Sequence, residues 1–334
     1  MKIVFFTKEP GNIKKVYPQW IKDALAKEIG ANEIAIVRED EMEDKRDVLR
    51  DAEYAFSTWG MPALSEEQIE EYLPSLKAVF YGAGSVQYFA KPYLNKGIKV
   101  FSAWAANAVP VAEYTVAEII LSGKGAFRTP KIFKSEGKDA AASFSGKNHG
   151  NYGGKIGLIG AGMIGSLVAE MLKAYRFEVL CFDPFLPSEK AERLGVKMAS
   201  LEEIFSECQV ISNHLANNAQ TVGMLNYDLF SKMGSYTTFI NTGRGAQVVE
   251  ADLIRAMKED TTRTALLDVT FPEPPESDSE FYTMDNIILT PHSAGSQADE
   301  LYRMSEFMLR EYYALRDGKD TKYEVSLKML ETMA

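Results

Sequence analysis

KIGLIGAGMIGSLVAEMLKAYRFEVLCFD, residues 155–183, has the form of a complete strand, helix and strand built around a dinucleotide. The apolar run at 156–159 leads into Gly160, Gly162 and Gly165, so a GxGxxG spacing falls between a strand and a helix. In that setting the first glycine permits a tight turn, the second lets backbone approach a pyrophosphate, and the third lets helix pack on strand. The opening residues of the helix, Met163 and Ile164, supply amide donors at the positive end of its dipole. Ile164, Leu167, Val168, Met171, Leu172 and Tyr175 recur at helical spacing and predict one apolar face against a sheet. The second strand, predicted over 178–182, delivers Asp183 about 20 residues beyond the glycines, where a carboxylate accepts hydrogen bonds from an adenosine ribose. A GxGxxG by itself is also a glycine-rich turn of any α/β protein. Strand, helix and acid agree here, and the reading is dinucleotide binding with NAD favoured over NADP.

A chain of 334 residues with 46% hydrophobic residues has apolar material for two cores. Its formal net charge of -10 argues against a general nucleic-acid or anionic-membrane surface, because such binding uses clustered Lys and Arg to neutralise phosphates. Cys181 and Cys208 are the two cysteines, both in apolar stretches, so neither a disulfide framework nor a metal site is expected. Buried free thiols suit a reducing compartment. MKIVFFTKEP is a short apolar run for a signal peptide, and no stretch approaches the roughly 18 apolar residues of a membrane helix. These features lead to the expectation of a cytoplasmic protein.

The first hundred residues alternate strand and helix: KIVFFT, a helix near 20–29, EIAIV, AEYAFS, a helix from Glu66 with Ser65 and Gln68 as a capping box, KAVFYG and IKVFS. Such alternation predicts a parallel sheet of its own, ahead of the dinucleotide unit. A helix is predicted over 109–122, with Pro110 in its first turn and Gly123 and Gly125 ending it. KSEGKDAAASFSGKNHGNYGGK, rich in Gly, Ser, Ala and Lys, reads as a long solvated loop. After Asp183 the alternation resumes with a helix opened by Ser200 and Glu203, then QVISNH, a helix near Asn226, TTFINT, VEADLIRAM, ALLDVT and NIILT. A last amphipathic helix over 297–316 carries Leu301, Met304, Phe307, Met308, Tyr312 and Leu315 on one face and is expected to return to the N-terminal layer.

In an open parallel sheet, ligands bind outside the carboxyl ends of the strands. Three such ends hold reactive side chains. TTFINT leads through Thr242 and Gly243 into Arg244 and Gly245, ALLDVT leads to Glu273, and NIILT ends at Pro291 and His292. The glycines leave the Arg244 guanidinium unobstructed, and its planar fork suits a carboxylate. A histidine can protonate a carbonyl oxygen as hydride reaches the carbon, and a neighbouring carboxylate favours its charged form. Taken singly, an arginine between glycines is a surface anion contact, a glutamate in a proline-rich loop is a solvated charge, and a strand-end histidine is a structural hydrogen bonder. Together, beside a nucleotide motif, they point to a keto-acid reductase. His149 reads as solvated, and His214, which ends QVISNH, as a structural residue that also lines the cofactor cleft.

The pieces ANAVPVAEYTVAEIIL, IGLIGAGMIG with Asp183, NTGRG followed by VEADLIRAM, DVTFPEP and LTPHSAG resemble, in order and spacing, the D-isomer-specific 2-hydroxyacid dehydrogenase family. The resemblance runs over nearly the whole chain. It implies Arg244 as the ligand of the substrate carboxylate, His292 as general acid/base, Glu273 as the residue that orients and charges it, and Asp268 as the holder of the nicotinamide amide. YGAGSV resembles the family's substrate-domain glycine loop, which implies carboxylate contacts from the amides of Ala83 and Gly84. The implied fold is two doubly wound parallel-sheet domains: a Rossmann domain over 103–295 inserted into a flavodoxin-like substrate domain of 1–102 and 296–334, with the active cleft between them. The implied chemistry moves a hydride between NAD(H) and a small 2-keto or D-2-hydroxy acid, in a homodimer formed through the cofactor domains. A chain of this length would also lack the C-terminal regulatory domain of some biosynthetic relatives.

Three departures from the family pattern bear on the substrate. Ala216, Asn217 and Asn218 follow Leu215 where the family usually has Pro-Leu-Thr, Val86 and Gln87 stand where an aspartate is usual, and Trp59 occupies a position that is normally smaller or polar. Trp59 either narrows the substrate pocket or merely packs on its loop. Two other readings stay open: an NAD-sensing interaction protein like the family's corepressors, and a dehydrogenase of a phosphorylated hydroxy acid.

Overall fold

A computed structural model describes residues 2–331 and divides the chain into two compact units, Met1–Asn107 with Ser296–Ala334, and Ala108–Gly295. Residues 1 and 332–334 of the expected discontinuous domain lie outside the described residues. Each unit is a doubly wound α/β layer, so the chain has the fold class that its alternating strands and helices predict.

In the first unit the sheet runs Glu324–Val325, Lys99–Ser102, Ala78–Tyr81, Tyr54–Ser57, Ile3–Phe6, Ile36–Val37. Among the described residues of this sheet, only the pair formed by Glu324–Val325 is antiparallel. The five parallel strands have the order 2-1-3-4-5 of a flavodoxin-like sheet. Register places Phe5 opposite Phe56, Phe56 opposite Phe80, and Phe80 opposite Phe101, so four rings form a row across one face. Phe80 stacks on Phe56 and on Phe101 with centroids 4.9 Å apart in each case. Onto this row the helix Glu300–Arg316 lays Tyr312, edge-on to Phe56 at 5.5 Å and to Phe80 at 5.6 Å, with Leu301, Met304 and Met308 buried beside it. Aromatic pairs of this kind are worth about 0.5–1.5 kcal/mol beyond the area they bury.

In the second unit seven strands lie parallel in the order Ile287–Leu289, Thr264–Leu267, Thr238–Asn241, Val210–Asn213, Tyr152–Ile159, Arg176–Phe182, Lys197–Met198. The chain order reverses between Tyr152–Ile159 and Val210–Asn213, which is where a doubly wound sheet opens its ligand crevice. The helix Met163–Leu172 buries Gly165, Val168, Ala169 and Leu172, and Ile164, Leu167 and Met171 pack on the same core. Tyr175 departs from the expected face. It falls beyond the helix end, 40% exposed, against Phe177.

Several local expectations differ from the structure. The division between units falls after Asn107 rather than 102, because Ala103 and Ala106 belong to the first core and the Ala103 amide bonds the carbonyls of Tyr81 and Ala83. The helix expected from 109 accordingly begins at Trp104 and contains Pro110, since the alanines at 105, 106 and 108 before it and at 112 and 117 after it favour helix on both sides. The stretch read as a long loop, 134–155, holds the end of the helix Thr129–Glu136, the helix Lys138–Gly146 and the start of the strand Tyr152–Ile159, with the two helices hinged at Gly137 with φ of 90°. Its three consecutive alanines, 140–142, outweigh the glycines and serines, and Ala141 is buried. EIAIV pairs only at Ile36–Val37, and the helices Pro10–Val16 and Arg46–Arg50 carry too short an apolar period to be read from sequence. The capping boxes at Ser65 with Gln68 and Ser200 with Glu203 form as expected.

Candidate active site

The three glycines of the dinucleotide turn act for three separate steric reasons. Gly160 has φ of 93°, and a Cβ there would stand 2.8 Å from the His214 carbonyl oxygen. A Cβ on Gly165 would come within 2.0 Å of the Gly160 oxygen, so helix and strand touch through it. Gly162 is the opposite case, since a Cβ there would meet nothing within 4 Å. That open side lies at the start of the helix Met163–Leu172, whose N-cap has no side-chain hydrogen bond, and the first amides are left for a ligand. A pyrophosphate fits this arrangement.

Asp183 follows the strand Arg176–Phe182 as the spacing predicts. Its Oδ2 accepts from the Ala161 amide at 2.7 Å and its Oδ1 from the Phe185 amide at 2.9 Å. A carboxylate offers about four acceptor sites, so two remain for ribose hydroxyls. His214 lies under the glycine turn, buried, with Nε2 3.0 Å from the Ser212 hydroxyl. Burial pushes its pKa down to about 4, so the ring is neutral at physiological pH. The atypical segment after it is tied down through its backbone: Thr221 donates to the Ala216 carbonyl at 2.7 Å, and Gln247 donates to the carbonyls of Leu215 and Ala216.

A buried amide network carries the next strand end. Asn213 Nδ2 donates to Asn241 Oδ1 at 3.0 Å and to Gln247 Oε1 at 2.6 Å, while Asn241 accepts from the Gly243 amide and donates to the Arg244 carbonyl. Sequence reasoning missed Asn213, Asn241 and Gln247. Their signal was two asparagines at the ends of adjacent apolar strands, where a buried amide must find partners. Thr242 is pinned to the helix Trp104–Ser122 by an Oγ1 to Oγ1 contact of 3.1 Å with Thr115. Gly243 and Gly245 do more than clear space for Arg244, which is a correction to the sequence reading. A Cβ on Gly243 would meet Asn213 at 3.1 Å, and Gly245 lies directly on the Thr270 carbonyl.

That packing brings the Arg244 loop against the loop that bears Glu273. Arg244 Nη1 donates to the Gly243 carbonyl at 2.8 Å, which uses one of five guanidinium donors. Burial lowers its pKa from the ordinary value and the nearby Glu273 carboxylate opposes the shift, which leaves a charged fork. Glu273 Oε1 stands 2.8 Å from His292 Nδ1, with both side chains about half exposed. The peptide bonds Phe271–Pro272 and Glu273–Pro274 are cis. His292 itself has φ of 54°, and its amide donates to the carbonyls of Asp268 and Thr290, both at 3.0 Å. A left-handed histidine is tolerated at a cost of about 1–3 kcal/mol, of the kind that recurs where geometry serves chemistry. Asp268, 3% exposed, holds the same turn: it accepts from Thr290 Oγ1 at 2.5 Å and from the amides of Ser293 at 2.7 Å and Ala294 at 2.9 Å. Arg244, Glu273, His292 and Asp268 are thus joined within one unit through strand-end loops.

In the other unit, Ser102 Oγ donates to the carbonyls of Ala83 and Gly84. Among the described residues the amides of Ala83 and Gly84 donate to no partner. Trp59 follows the strand Tyr54–Ser57 with 43% of its surface exposed, so it is not a core residue of this unit.

Residues 131–294 match the family model described as the D-isomer specific 2-hydroxyacid dehydrogenase NAD binding domain. By that match the segment 131–294 is an NAD binding domain of the D-isomer specific 2-hydroxyacid dehydrogenase type. It is 30% identical over 236 residues to the D-3-phosphoglycerate dehydrogenase of Archaeoglobus fulgidus, an alignment covering 71% of this chain and 44% of that protein. The chain spans about half the length of the relatives it matches in sequence. Its fold is shared with a phosphoglycerate oxidoreductase from Rhizobium etli (TM-score 0.80, 21% identity, 99% of this chain and 100% of that one). It is also shared with the NAD complex of a D-isomer specific 2-hydroxyacid dehydrogenase from Lactobacillus delbrueckii ssp. bulgaricus (TM-score 0.76, 20% identity, 97% and 100%). The glycine turn, Asp183 and the Arg244, Glu273, His292 and Asp268 loops all lie in the segment that this NAD-binding domain match covers.

Proposed function

We propose that the protein is an NAD-dependent oxidoreductase that reduces a small 2-keto acid to the D-2-hydroxy acid. The observation that carries this reading is the 2.8 Å contact between His292 Nδ1 and Glu273 Oε1, on two strand-end loops of the NAD-binding domain with Arg244 beside them. NADH, when bound, supplies the hydride that reaches the carbonyl carbon. Glu273 occupies Nδ1 of His292, so Nε2 is the nitrogen that passes its proton to the carbonyl oxygen, and the alcohol results. Arg244 holds the substrate carboxylate by its unused donors, which fixes the face of the carbonyl presented to the cofactor. The free amides of Ala83 and Gly84 are donors of the kind a carboxylate takes, and stand in the proposal as further substrate contacts.

On the cofactor side, Gly160, Gly162, Met163, Ile164 and Gly165 are assigned to the pyrophosphate and Asp183 to the adenosine ribose. His214, Thr242, Gly243 and Asp268 are assigned to the nicotinamide half. Both cysteines are unpaired and buried, which supports a reducing, cytoplasmic setting. A homodimer completes the proposal, and light scattering at micromolar concentration tests it. The activity is tested by following loss of NADH absorbance with a panel of 2-keto acids, phosphorylated and not. No turnover with any of them, despite NADH binding, overturns the enzymatic reading and favours a nucleotide-sensing role.

A further inference from the structure

The helix Trp104–Ser122 buries a carboxyl that the proposed chemistry does not use. Glu118 is 7% exposed, on a helix whose neighbouring Val116 and Ile119 belong to the apolar core of the NAD-binding domain. Its Oε2 is buried and has no hydrogen-bond partner among the described residues. The polar group beside it is the phenol of Tyr114, one helical turn earlier, and the side chains of Thr290 and Ser293 lie near that hydroxyl. Thr290 and Ser293 are the residues that grip Asp268. The buried acid on the helix and the aspartate under the His292 turn thus belong to one cluster of polar groups.

We propose that Glu118 is a positioning residue of the cofactor site, whose proton state, felt at Asp268 through Tyr114, sets the preference of that site between oxidised and reduced nicotinamide. The inference rests on the reading above that places the nicotinamide at Asp268. The oxidised ring carries a positive charge and the reduced ring none. A protonated Glu118 leaves Asp268 as the single negative charge of the cluster, and an ionised one adds a second in surroundings that water screens poorly.

Burial and the charge on Asp268 both push the Glu118 carboxyl up, to about 8, while Tyr114 pulls it down. The groups that face it are Tyr114 on its own helix and Asp268 at the end of the strand Thr264–Leu267. The Tyr114 phenol is itself raised, by burial first and then by the two carboxylates, so it stays neutral where Glu118 titrates. As pH rises past the Glu118 transition, binding should shift toward NAD⁺ and away from NADH. By reciprocity NAD⁺ binding expels a proton there and NADH binding does not.

The test is the pair of dissociation constants for NAD⁺ and NADH, by titration calorimetry on the full chain across pH 6.5 to 9.5 (roughly the carboxyl's value and 1.5 units either side). Wild type, Glu118→Gln and Tyr114→Phe are compared, with proton release read from buffers of different ionisation enthalpy. In wild type the ratio of the NADH to the NAD⁺ dissociation constant should rise about five-fold or more, with proton release on NAD⁺ binding, and in Glu118→Gln it should be flat. Tyr114→Phe removes the group that lowers the transition and should move it to higher pH. A flat ratio in wild type overturns the inference, and so does the same rise in Glu118→Gln, which would assign it to another group. Wild type supplies a decision by proton release alone if the glutamine variant does not fold. Loss of all binding of both cofactors in wild type would instead overturn the cofactor-site reading on which the inference stands.

Discussion

Gly245 lies so close to Thr270 that a Cβ at 245 would stand 2.0 Å from the Thr270 carbonyl oxygen. The obstacle is backbone, so neither a rotamer change nor a small tilt relieves it. Gly245→Ala should therefore force apart the two loops that carry Arg244 and Glu273. A loss of about 1–3 kcal/mol in urea unfolding is expected from overpacking of this kind. A drop of about 100-fold in reductase kcat/KM is expected from misplacement of reacting groups by about an ångström. An unchanged unfolding midpoint would show that the loops yield freely.

How much of this was legible in the sequence depends on the range of the interaction concerned. The dinucleotide turn was readable because its glycines, helix period and Asp183 act within thirty consecutive residues, and one local rule governs each. Glu273 and His292 could be named from strand ends, but not their 2.8 Å contact, which depends on loops that no periodicity describes. Gly245 was read as freedom for its neighbour, because only the tertiary fold reveals Thr270 on the other side. The Asn213, Asn241 and Gln247 network was invisible for a related reason: a buried amide announces itself only once the strands that bury it are adjacent. The helix at 138–146 is the opposite case, where glycine and serine content masks alanine propensity.

Arg244 spends one hydrogen bond on the Gly243 carbonyl and keeps the rest of its fork for a ligand. Arg244→Lys preserves the charge but replaces a planar bidentate group by a point donor. With a 2-keto acid, kcat/KM should fall by about 100-fold or more while the NADH dissociation constant stays within a factor of about two. Near-normal turnover in the lysine variant would remove the carboxylate-binding assignment.

Asp183 is held by two backbone amides, Ala161 and Phe185, at 2.7 and 2.9 Å, and so its carboxylate stays at the strand end. A 2′-phosphate brought to it would meet a like charge. At an effective dielectric near 20, unit charges about 4 Å apart repel by about 4 kcal/mol, so a preference for NAD over NADP of about 100-fold or more in kcat/KM is expected. Asp183→Asn keeps the shape and one acceptor while removing the charge. Most of the discrimination should disappear in that variant, and equal use of the two cofactors by wild type would refute the assignment.

His292 and Glu273 meet through Nδ1 and Oε1, and the backbone under His292 is fixed twice, by its own amide on Asp268 and Thr290 and by the Asp268 carboxylate on the residues that follow. The main chain is thus set without Glu273, and what Glu273 adds is the orientation of the ring. Removing each side chain should separate these roles. His292→Ala deletes the proton donor, for which general acid catalysis is typically worth about 10²- to 10⁴-fold, and kcat should fall by that order while NADH still binds. Glu273→Gln leaves a hydrogen-bonding group of the same size at Nδ1 but no charge, so a smaller loss is expected, about 10-fold or more, and mainly in kcat because the substrate carboxylate still has Arg244. Double-mutant analysis makes the coupling explicit. If Glu273 acts through His292, adding Glu273→Gln to His292→Ala should cost little more than His292→Ala alone, since the ring it orients is gone. Fully additive losses would mean that Glu273 serves the reaction by another route, and an active His292→Ala would exclude the proton-donor assignment itself.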